Sequence, residues 1–306
     1  LPPGGIKFLP NLRYLLDPKN TDLYRIEFIA KLADIADVYI NCAFGCSHRV
    51  TKSIKLLPQL MRQEGKPVVS GALLYEEIYR LGKFASKVLS LPKKTMVVTG
   101  GAKISDKIEI LKQFVSTGVG SILIGGKMAN AFLLAQQQKE LLQPFQSDTL
   151  PAKLQSQAED KNDELLTEIN LAEEIIELAE AHKVILHLPE DYKVVTDYQD
   201  TSFENKASPD FSKELQLDLG EKTINQFEDI FKGIENVFWN GPLGAYDHPA
   251  CSYYAEGSLE LAKVLFQMSL KNPKLSVVIG GGDSAAILNK IGITELKKMI
   301  KAQIEK

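Results

Sequence analysis

From about Thr95 onward, short β-rich runs that end in glycine alternate with stretches of helical periodicity. Four such runs and their endings are Thr95–Thr99 before Gly100-Gly101, Ser121–Ile124 before Gly125-Gly126, Asn236–Trp239 before Asn240-Gly241-Pro242, and Leu275–Ile279 before Gly280-Gly281-Gly282. A fifth run, Val184–Leu188, ends at Pro189. Strands that alternate with helices form βαβ units, whose parallel sheet is covered by helices on both faces. The pattern therefore predicts a three-layer α/β/α fold with parallel sheets.

The first 74 residues follow the same logic over a shorter length. Strand-like runs at Ile6–Leu9 and Asp37–Ile40 enclose a helix predicted at about Leu23–Ile35. One such βαβ piece buries too little surface to form a complete domain. A long helix predicted at about Tyr75–Ser90 connects this piece with the regular part of the chain.

Three parts are therefore predicted: an incomplete N-terminal lobe at 1–74, a connecting helix at 75–92 and a C-terminal lobe at 93–306. Within the C-terminal lobe, the polar, Gln-rich segment 136–163 predicts a surface insertion. After it, apolar residues recur at three- and four-residue spacing, which predicts the core-facing side of a helix. They are Leu165, Ile169, Ala172, Ile176 and Ala179.

Charge and composition exclude several classes of protein. With 36 basic and 39 acidic residues the net charge is −3, so no basic field recruits nucleic acid. The apolar runs are far shorter than the ~20 residues of a membrane-spanning helix. Three cysteines, Cys42, Cys46 and Cys251, are too few for a disulfide framework, which predicts a cytoplasmic location. The opening Leu1-Pro2-Pro3-Gly4-Gly5 has neither an initiator methionine nor a signal-peptide pattern, so we expect an upstream segment.

The glycines that follow the strands predict a ligand site. In open parallel sheets, ligands bind beyond the carboxyl ends of the strands. A glycine there lets a base or a phosphate approach the backbone, and a helix N-terminus that follows attracts anions. One such glycine pair is usually only a turn, whereas four together predict a nucleotide pocket. The P-loop and dinucleotide fingerprints are absent, because Gly126-Lys127 is followed by Met128 and no G-x-G-x-x-G opens a helix. A nicotinamide dehydrogenase is therefore disfavoured.

Charged side chains accompany three of the strand ends. Lys103 and Lys107 are four apart near a helix predicted at about Ile104–Ser116, so we expect them to share one face and point at phosphates. Asp283 opens a helix either as an N-cap or as a Mg²⁺ ligand beside nucleotide phosphates, with Ser284 adding a hydroxyl. Arg49 could hold an acidic substrate, although a lone arginine is usually a solvated surface residue.

Five separated motifs in this chain resemble those of the phosphoglycerate kinase family, in the family order and over nearly the whole sequence. They are Pro10–Tyr14 (PNLRY), Asp37–Arg49 (DVYINCAFGCSHR), Gly100–Lys107 (GGAKISDK), Trp239–Asp247 (WNGPLGAYD) and Ile279–Ala285 (IGGGDSA). The resemblance implies a two-lobed, monomeric kinase. It would transfer a phosphoryl group between 1,3-bisphosphoglycerate and ADP with Mg²⁺, giving 3-phosphoglycerate and ATP.

The resemblance also implies a role for each matched residue. In the C-terminal lobe, Lys103 would contact the transferring phosphoryl group and Asp283 the metal. The nucleotide would be bound by Gly100, Lys107, Gly125, Gly126, Asn240, Asp247, Gly280, Gly281, Gly282, Asp283 and Ser284, with Gly125 and Gly126 flanking the adenine and Asp247 at the ribose. In the N-terminal lobe, Arg13 and Arg49 would grip the glycerate ligand.

The chain also departs from the family pattern. The family's R-V-D-F-N-V-P segment and T-G-G-G-A-S motif have no match here, and Lys127 stands where the family has a third glycine beside the adenine. These departures predict a chain that binds Mg-ADP with little or no turnover. The alternative to a phosphoglycerate kinase is therefore a truncated or degenerate nucleotide-binding relative without catalytic activity.

Overall fold

A computed structural model describes residues 3–12, 23–142, 162–211, 213–249 and 252–304. The chain divides into two compact units, Leu1–Ala85 and Ser86–Lys306. Both combine helices with a parallel sheet, as the sequence predicts. No helix in the described part of the chain combines the length and the apolar character needed to cross a membrane.

Within its described residues, the unit Leu1–Ala85 contains one pair of parallel strands, β1 (Tyr39–Asn41) and β2 (Val68–Ser70). The helices described there are α1 (Leu23–Ile35), α2 (Leu57–Gln63, after a π-helical turn at Lys52–Leu56) and α3 (Ala72–Ser90), which continues into the second unit. Helices α1 and α2 pack on each other around a core of Ile29, Ala33, Leu57 and Met61.

Two predicted helices of this unit are confirmed, α1 with the predicted bounds and α3 beginning three residues early, at Ala72. The strand predicted at Ile6–Leu9 is wrong, because these residues are not in a strand and Ile6 is 82% exposed. An apolar run becomes a strand only where a neighbouring strand accepts its backbone hydrogen bonds. Among the described residues, the sheet of this unit contains only β1 and β2.

The unit Ser86–Lys306 is built on a five-stranded parallel sheet in the order β10-β9-β3-β4-β5. The strands of the unit are β3 (Thr95–Thr99), β4 (Ser121–Ile124), β5 (Ile185–His187), β6 (Tyr192–Val195), β7 (Glu204–Lys206), β8 (Leu215–Leu219), β9 (Asn236–Asn240) and β10 (Ser276–Gly280). Its helices are α4 (Ile108–Thr117), α5 (Ala129–Leu142), α6 (Asn162–His182), α7 (Glu221–Asn225), α8 (Phe227–Ile230), α9 (Glu256–Lys271) and α10 (Gly282–Ile304).

Both faces of the parallel sheet are buried, because successive side chains along its strands point to opposite faces. Val98 and Trp239 lie in one core with Phe231, which directly follows α8, and Leu261 of α9. Neighbouring strand residues such as Val97 are buried on the opposite face, because successive side chains of a strand alternate. Helices α4 and α5 both pack against α6 to form a further layer. The predicted three-layer arrangement is therefore confirmed for this unit.

A second, antiparallel sheet of three strands in the order β7-β6-β8 was not predicted. Its strands are short. Strand β8 (LQLDL) alternates apolar and polar residues, a strand signal that was not used, whereas β6 (YKVV) and β7 (ENK) show no sustained alternation. The charged residues Lys193 and Asp218 are nevertheless fully buried.

Three smaller predictions in this unit need correction. The helix predicted from Ile104 begins at Ile108. Leu165 is 46% exposed, whereas the other four residues predicted on the core-facing side of α6 are buried. The predicted insertion 136–163 contributes its first residues to α5 and its last to α6, and 143–161 lie outside the described residues.

Candidate functional site

The loops that follow β3, β4 and β9 pack against one another through their backbones. The Gly126 N–H donates to the Leu243 carbonyl at 3.0 Å, and the Met128 N–H donates to the Gly101 carbonyl at 3.0 Å. The Gly100 N–H donates to the carbonyl of Asn240, the last residue of β9, at 3.3 Å. The carboxyl ends of three neighbouring strands are thereby joined into one rigid rim.

Four of the predicted glycines are explained by this packing. A Cβ added to Gly100, Gly126 or Gly241 would lie within 3.0 Å of backbone atoms of a neighbouring loop, and one on Gly125 would lie 2.6 Å from the Leu243 side chain. Gly126 and Gly241 also have positive φ angles of 67° and 102°. The missing side chains at these positions thus serve contact between loops, a role that the sequence analysis did not assign.

The glycines after β10 differ from those four. A Cβ on Gly282 would meet no atom within 4 Å, and one on Gly281 would meet only the ends of the Asn240 and Ser284 side chains, at 3.9 and 4.0 Å. One on Gly280 would lie 3.3 Å from Asn240 Nδ2. At Gly281 and Gly282 the backbone is exposed, so a ligand can approach it.

A cavity of about 410 Å³ opens beside this rim. Its walls come from the loops after β3, β4 and β9, from β8, and from Tyr198. Most of the lining residues are glycine, apolar or tyrosine; the polar exceptions are Lys127, Gln216 and Asp247. A mostly apolar cleft with few polar groups is typical of a site for a small organic ligand.

Lys107 places a half-buried cation at the end of β9. Its Nζ donates to the Asn240 backbone carbonyl at 3.1 Å and to the Asn240 side-chain Oδ1. Burial lowers the pKa of Lys107, and the carboxylates of Asp106 and Asp283 oppose that shift. Gly101, which lines the cavity, is so close that an added Cβ would lie 3.5 Å from Lys107 Cε. A cation is therefore held beside the cavity.

Lys103 is exposed and forms an ion pair with Glu164 of α6, which raises the pKa of Lys103. The expectation that Lys103 and Lys107 share one helix face is wrong, because α4 begins only at Ile108 and the two lysines have different partners. The conformation of the loop before α4 is set by its hydrogen bonds to other elements, and the spacing of residues in the sequence does not reveal these bonds.

Glu168 of α6 is the residue that holds this loop, although no sequence motif indicates it. Its buried carboxylate accepts hydrogen bonds from the Ile104 N–H, from the Ser105 N–H at 3.4 Å and from Ser105 Oγ at 2.7 Å. The available signal was its place directly before Ile169 on the predicted buried face. A carboxylate at such a position needs a polar partner.

Replacing Glu168 by alanine is expected to lower the free energy of unfolding by about 2–4 kcal/mol, because the buried N–H of Ile104 and the part-buried donors of Ser105 lose a charged acceptor. Urea denaturation measures the change. The matched control is Glu164→Ala on the same helix, whose carboxylate is exposed and whose loss should change stability little. Equal destabilisation by the two substitutions would contradict the role given to Glu168.

Asp283 and Ser284 lie in the first turn of α10 and connect it to the loop after β9. Asp283 Oδ1 accepts a hydrogen bond from Tyr246 Oη at 2.9 Å, which raises the pKa of Tyr246 to about 12. Ser284 is fully buried, and its Oγ accepts from the Gly241 N–H at 2.8 Å. Ser284 thus links α10 to the loop after β9 through a hydrogen bond, and its contact with a phosphate stays a prediction.

The exposed Asp283 carboxylate fits one mode of magnesium binding. Mg²⁺ is usually held by one or two carboxylates together with substrate phosphates and water. Across the described residues, no group of three or more His, Cys, Asp or Glu side chains forms a protein-only metal site. The donor set therefore suits a Mg²⁺ ion that arrives with a nucleotide.

The unit Leu1–Ala85 has a cavity of its own, of about 470 Å³. Asn41 and Ser70, at the carboxyl ends of β1 and β2, line it together with four residues that carry basic side chains, His48, Arg49, Lys55 and Arg62. Such a lining suits an anionic ligand. Arg13, the other predicted substrate contact, lies outside the described residues.

Comparisons with known proteins agree with this architecture. The phosphoglycerate kinase family model matches residues 1–301. A phosphoglycerate kinase of Anaeromyxobacter dehalogenans is 32% identical over 302 residues, which are 97% of this chain and 66% of that protein. One of Lactobacillus acidophilus is 33% identical over 262 residues, 85% of this chain and 57% of that protein.

Solved structures give the same result. The crystal structure of phosphoglycerate kinase from Pyrococcus horikoshii aligns with a TM-score of 0.65 at 25% identity, over 92% of this chain and 64% of that one. The enzyme from Coxiella burnetii aligns with a TM-score of 0.60 at 25% identity, over 88% of this chain and 61% of that one. The chain thus spans about three fifths of the length of these relatives, and it belongs to the phosphoglycerate kinase family.

Proposed function

We propose that this chain acts in the reversible transfer of a phosphoryl group between 1,3-bisphosphoglycerate and ADP, which gives 3-phosphoglycerate and ATP. The observation that carries the proposal is the grouping of a mostly apolar cavity, a half-buried lysine and an exposed aspartate at the carboxyl ends of parallel strands. Membership in the family indicates the reaction, and this grouping suits a nucleotide. The apolar cavity suits the flat, apolar base, and the lysine suits the anionic phosphates.

In this proposal the unit Ser86–Lys306 binds the nucleotide. The base occupies the cavity beside Gly101 and Gly126, and Asp247 at the cavity wall accepts hydrogen bonds from the ribose hydroxyls. Lys107 and the exposed backbone at Gly281 and Gly282 bind the phosphates, beside Gly280 at the end of β10. Asp283 would hold Mg²⁺, which supplies positive charge against the phosphate oxygens when it is bound.

Lys103 is proposed to contact the transferring phosphoryl group. Phosphoryl transfer depends on positioning and on neutralising charge over the equatorial oxygens, and a lysine ammonium supplies both. In the structure this ammonium is paired with Glu164. Lys103 would therefore exchange the exposed Glu164 carboxylate for the phosphoryl oxygens.

The unit Leu1–Ala85 is proposed to bind the glycerate substrate. Its basic cavity holds Arg49, whose planar guanidinium can bind a carboxylate or a phosphate with two parallel hydrogen bonds. We further propose that residues 1–74 are the substrate lobe and 93–306 the nucleotide lobe, with the intervening helix as their connection. A monomeric state and a cytoplasmic location stay predictions of the sequence.

A coupled assay of ATP formation from 1,3-bisphosphoglycerate and ADP tests the proposal. The departures from the family pattern predict little or no turnover, but the family match over residues 1–301 favours activity, so the chain is expected to form ATP. Arg49→Met is expected to reduce the rate at least about tenfold through loss of a charged contact to substrate. The control is Arg80→Met, since Arg80 pairs with Glu76 on the exposed side of α3. Binding of Mg-ADP without ATP formation would instead support the non-catalytic alternative.

Removal of the Asp283 carboxylate tests the magnesium assignment. In Asp283→Asn, Mg²⁺ is expected to lose most of its ability to strengthen ADP binding, because the amide carries no charge to hold the ion. Isothermal titration calorimetry with ADP, with and without Mg²⁺, measures the difference. Asp247→Asn is the comparison, and it should weaken ADP equally in both conditions. An undiminished Mg²⁺ effect in Asp283→Asn would exclude Asp283 as the ligand.

A further inference from the structure

A buried network of charged side chains lies behind the cavity wall, and no step of the proposed function uses it. Lys193 of β6 and Asp218 of β8 face each other in the antiparallel register, with Lys193 Nζ 3.9 Å from Asp218 Oδ2 and both side chains at most 1% exposed. Lys193 also donates to Glu256, the first residue of α9, and to the Tyr253 carbonyl at 3.0 Å.

The Asp218 carboxylate is wedged between two glycines. Its Oδ2 accepts a hydrogen bond from the Gly257 N–H at 2.8 Å. A Cβ on either Gly244 or Gly257 would lie within 3.0 Å of Asp218 Oδ1, and this oxygen is buried with no hydrogen-bond partner among the described residues. The Asp218 carboxylate therefore fits only because neither Gly244 nor Gly257 has a side chain.

These contacts lead directly to the wall of the cavity. Leu217, the neighbour of Asp218 in β8, lines the cavity, and so does Gly244. The Ala245 N–H donates to the Leu217 carbonyl at 2.7 Å, which fixes the loop after β9 to the strand. A shift of the Asp218 carboxylate would consequently move two lining segments together.

The ion pair between Lys193 and Asp218 contributes little net stability to the fold, because desolvation of the two buried charges offsets much of their attraction. An apolar pair of the same size would stabilise the fold at least as well. We propose that Lys193 and Asp218 are positioning residues, which set the shape of the nucleotide-base cavity from behind without touching the ligand. This inference rests on the proposed function.

Protonation of Asp218 would then alter the cavity. Burial raises the pKa of Asp218 to about 7, opposed by the Gly257 N–H and Lys193, while Glu256 raises it further. Above this pKa the ionised carboxylate holds both Gly257 and Lys193. Below it the carboxyl is neutral and its attraction for Lys193 is lost, which leaves Glu256 as the charged partner of Lys193. The cavity is therefore expected to keep its shape at pH 8 and to loosen toward pH 6.

The first experiment needs no ligand. Trp239 is the single tryptophan and is buried; its Nε1–H donates to the Gly241 carbonyl at 2.8 Å, so its fluorescence reports on the loop after β9. A pH titration of the free protein is expected to show a transition near Asp218's pKa of about 7. The transition should vanish in Asp218→Asn. In Glu256→Gln, where the half-exposed carboxylate is neutralised, the midpoint should move to lower pH.

The second experiment measures adenosine binding, since adenosine has no group that titrates near neutrality. If only the ionised form binds, its dissociation constant should rise about tenfold from pH 8 to pH 6. It should be independent of pH in Asp218→Asn. Lys206→Met is the matched control, because it removes the ion pair of a β7 lysine with Glu214, and neither of these residues lines the cavity.

The outcomes separate the two proposals. A Trp239 transition that is unchanged in both Asp218→Asn and Glu256→Gln overturns the positioning role, as does a wild-type pH profile of adenosine binding in Asp218→Asn. If the transition behaves as expected but the unmodified chain binds neither adenosine nor ADP, the nucleotide assignment fails while the link between Asp218 and the loop stands. If Asp218→Asn does not fold, an unshifted midpoint in Glu256→Gln still overturns the inference.

Discussion

Replacing Lys107 by methionine is expected to weaken ADP binding about 100-fold while adenosine binding stays within about twofold of its original value. The lysine lies beside the cavity, not in its lining, and its Nζ is held at the end of β9 by Asn240. Burial lowers the pKa of Lys107, so this ammonium lacks part of its hydration before any ligand arrives. Charge-assisted hydrogen bonds from such a group to phosphate contribute roughly 1.5–3 kcal/mol, which corresponds to about 10- to 150-fold in affinity.

Calorimetric titration with ADP and with adenosine separates the phosphate contribution from that of the base. Lys112→Met is the matched control, since Lys112 of α4 forms an ion pair with Glu174 of α6. It removes the same charge from the helix that follows Lys107 and should leave both affinities unchanged. Equal losses for ADP and adenosine in Lys107→Met would mean that Lys107 shapes the cavity rather than binding phosphate.

The fold of the nucleotide unit was largely predictable from sequence, because each strand of its parallel sheet is a short apolar run with a turn signal at its end. The strand β3 was predicted with its observed bounds, and β9 and β10 to within one residue. The antiparallel sheet was not predicted, because β6 and β7 are only four and three residues long and the burial of Lys193 and Asp218 depends on partners distant in sequence. Local patterns record which residues are apolar, but not which charges find a partner.

The candidate site shows the same division. Sequence motifs located Lys103, Lys107 and Asp283, but spacing placed the two lysines on one helix face, which they do not share. Their directions are set by Glu164 and Asn240, which lie 61 and 133 residues further along the chain. The role of Glu168 escaped detection because a buried carboxylate on an amphipathic helix looks, in sequence, like a residue at the edge of its polar face.

Replacing Gly241 by alanine is expected to lower the free energy of unfolding by at least about 3 kcal/mol. The φ angle of Gly241 is 102°, which strains any residue with a side chain. The added Cβ would also lie within 3.0 Å of Gly100 backbone atoms, and backbone in a rim of three interlocked loops has no room to yield. Urea denaturation, followed by the fluorescence of Trp239, measures the change.

Gly282→Ala is the informative control, because both glycines belong to the clusters that follow strands of the sheet but their surroundings differ. A Cβ at Gly282 meets no atom within 4 Å, so its stability should change by less than about 1 kcal/mol. Its ADP affinity should fall instead, since phosphate is proposed to approach the backbone there. If Gly241→Ala folds normally and loses only ADP binding, the strand-end glycines serve the ligand alike, as their recurrence in the sequence suggests. If the two variants separate as expected, one repeated glycine pattern encodes two physical tasks, and only the second of them concerns the nucleotide.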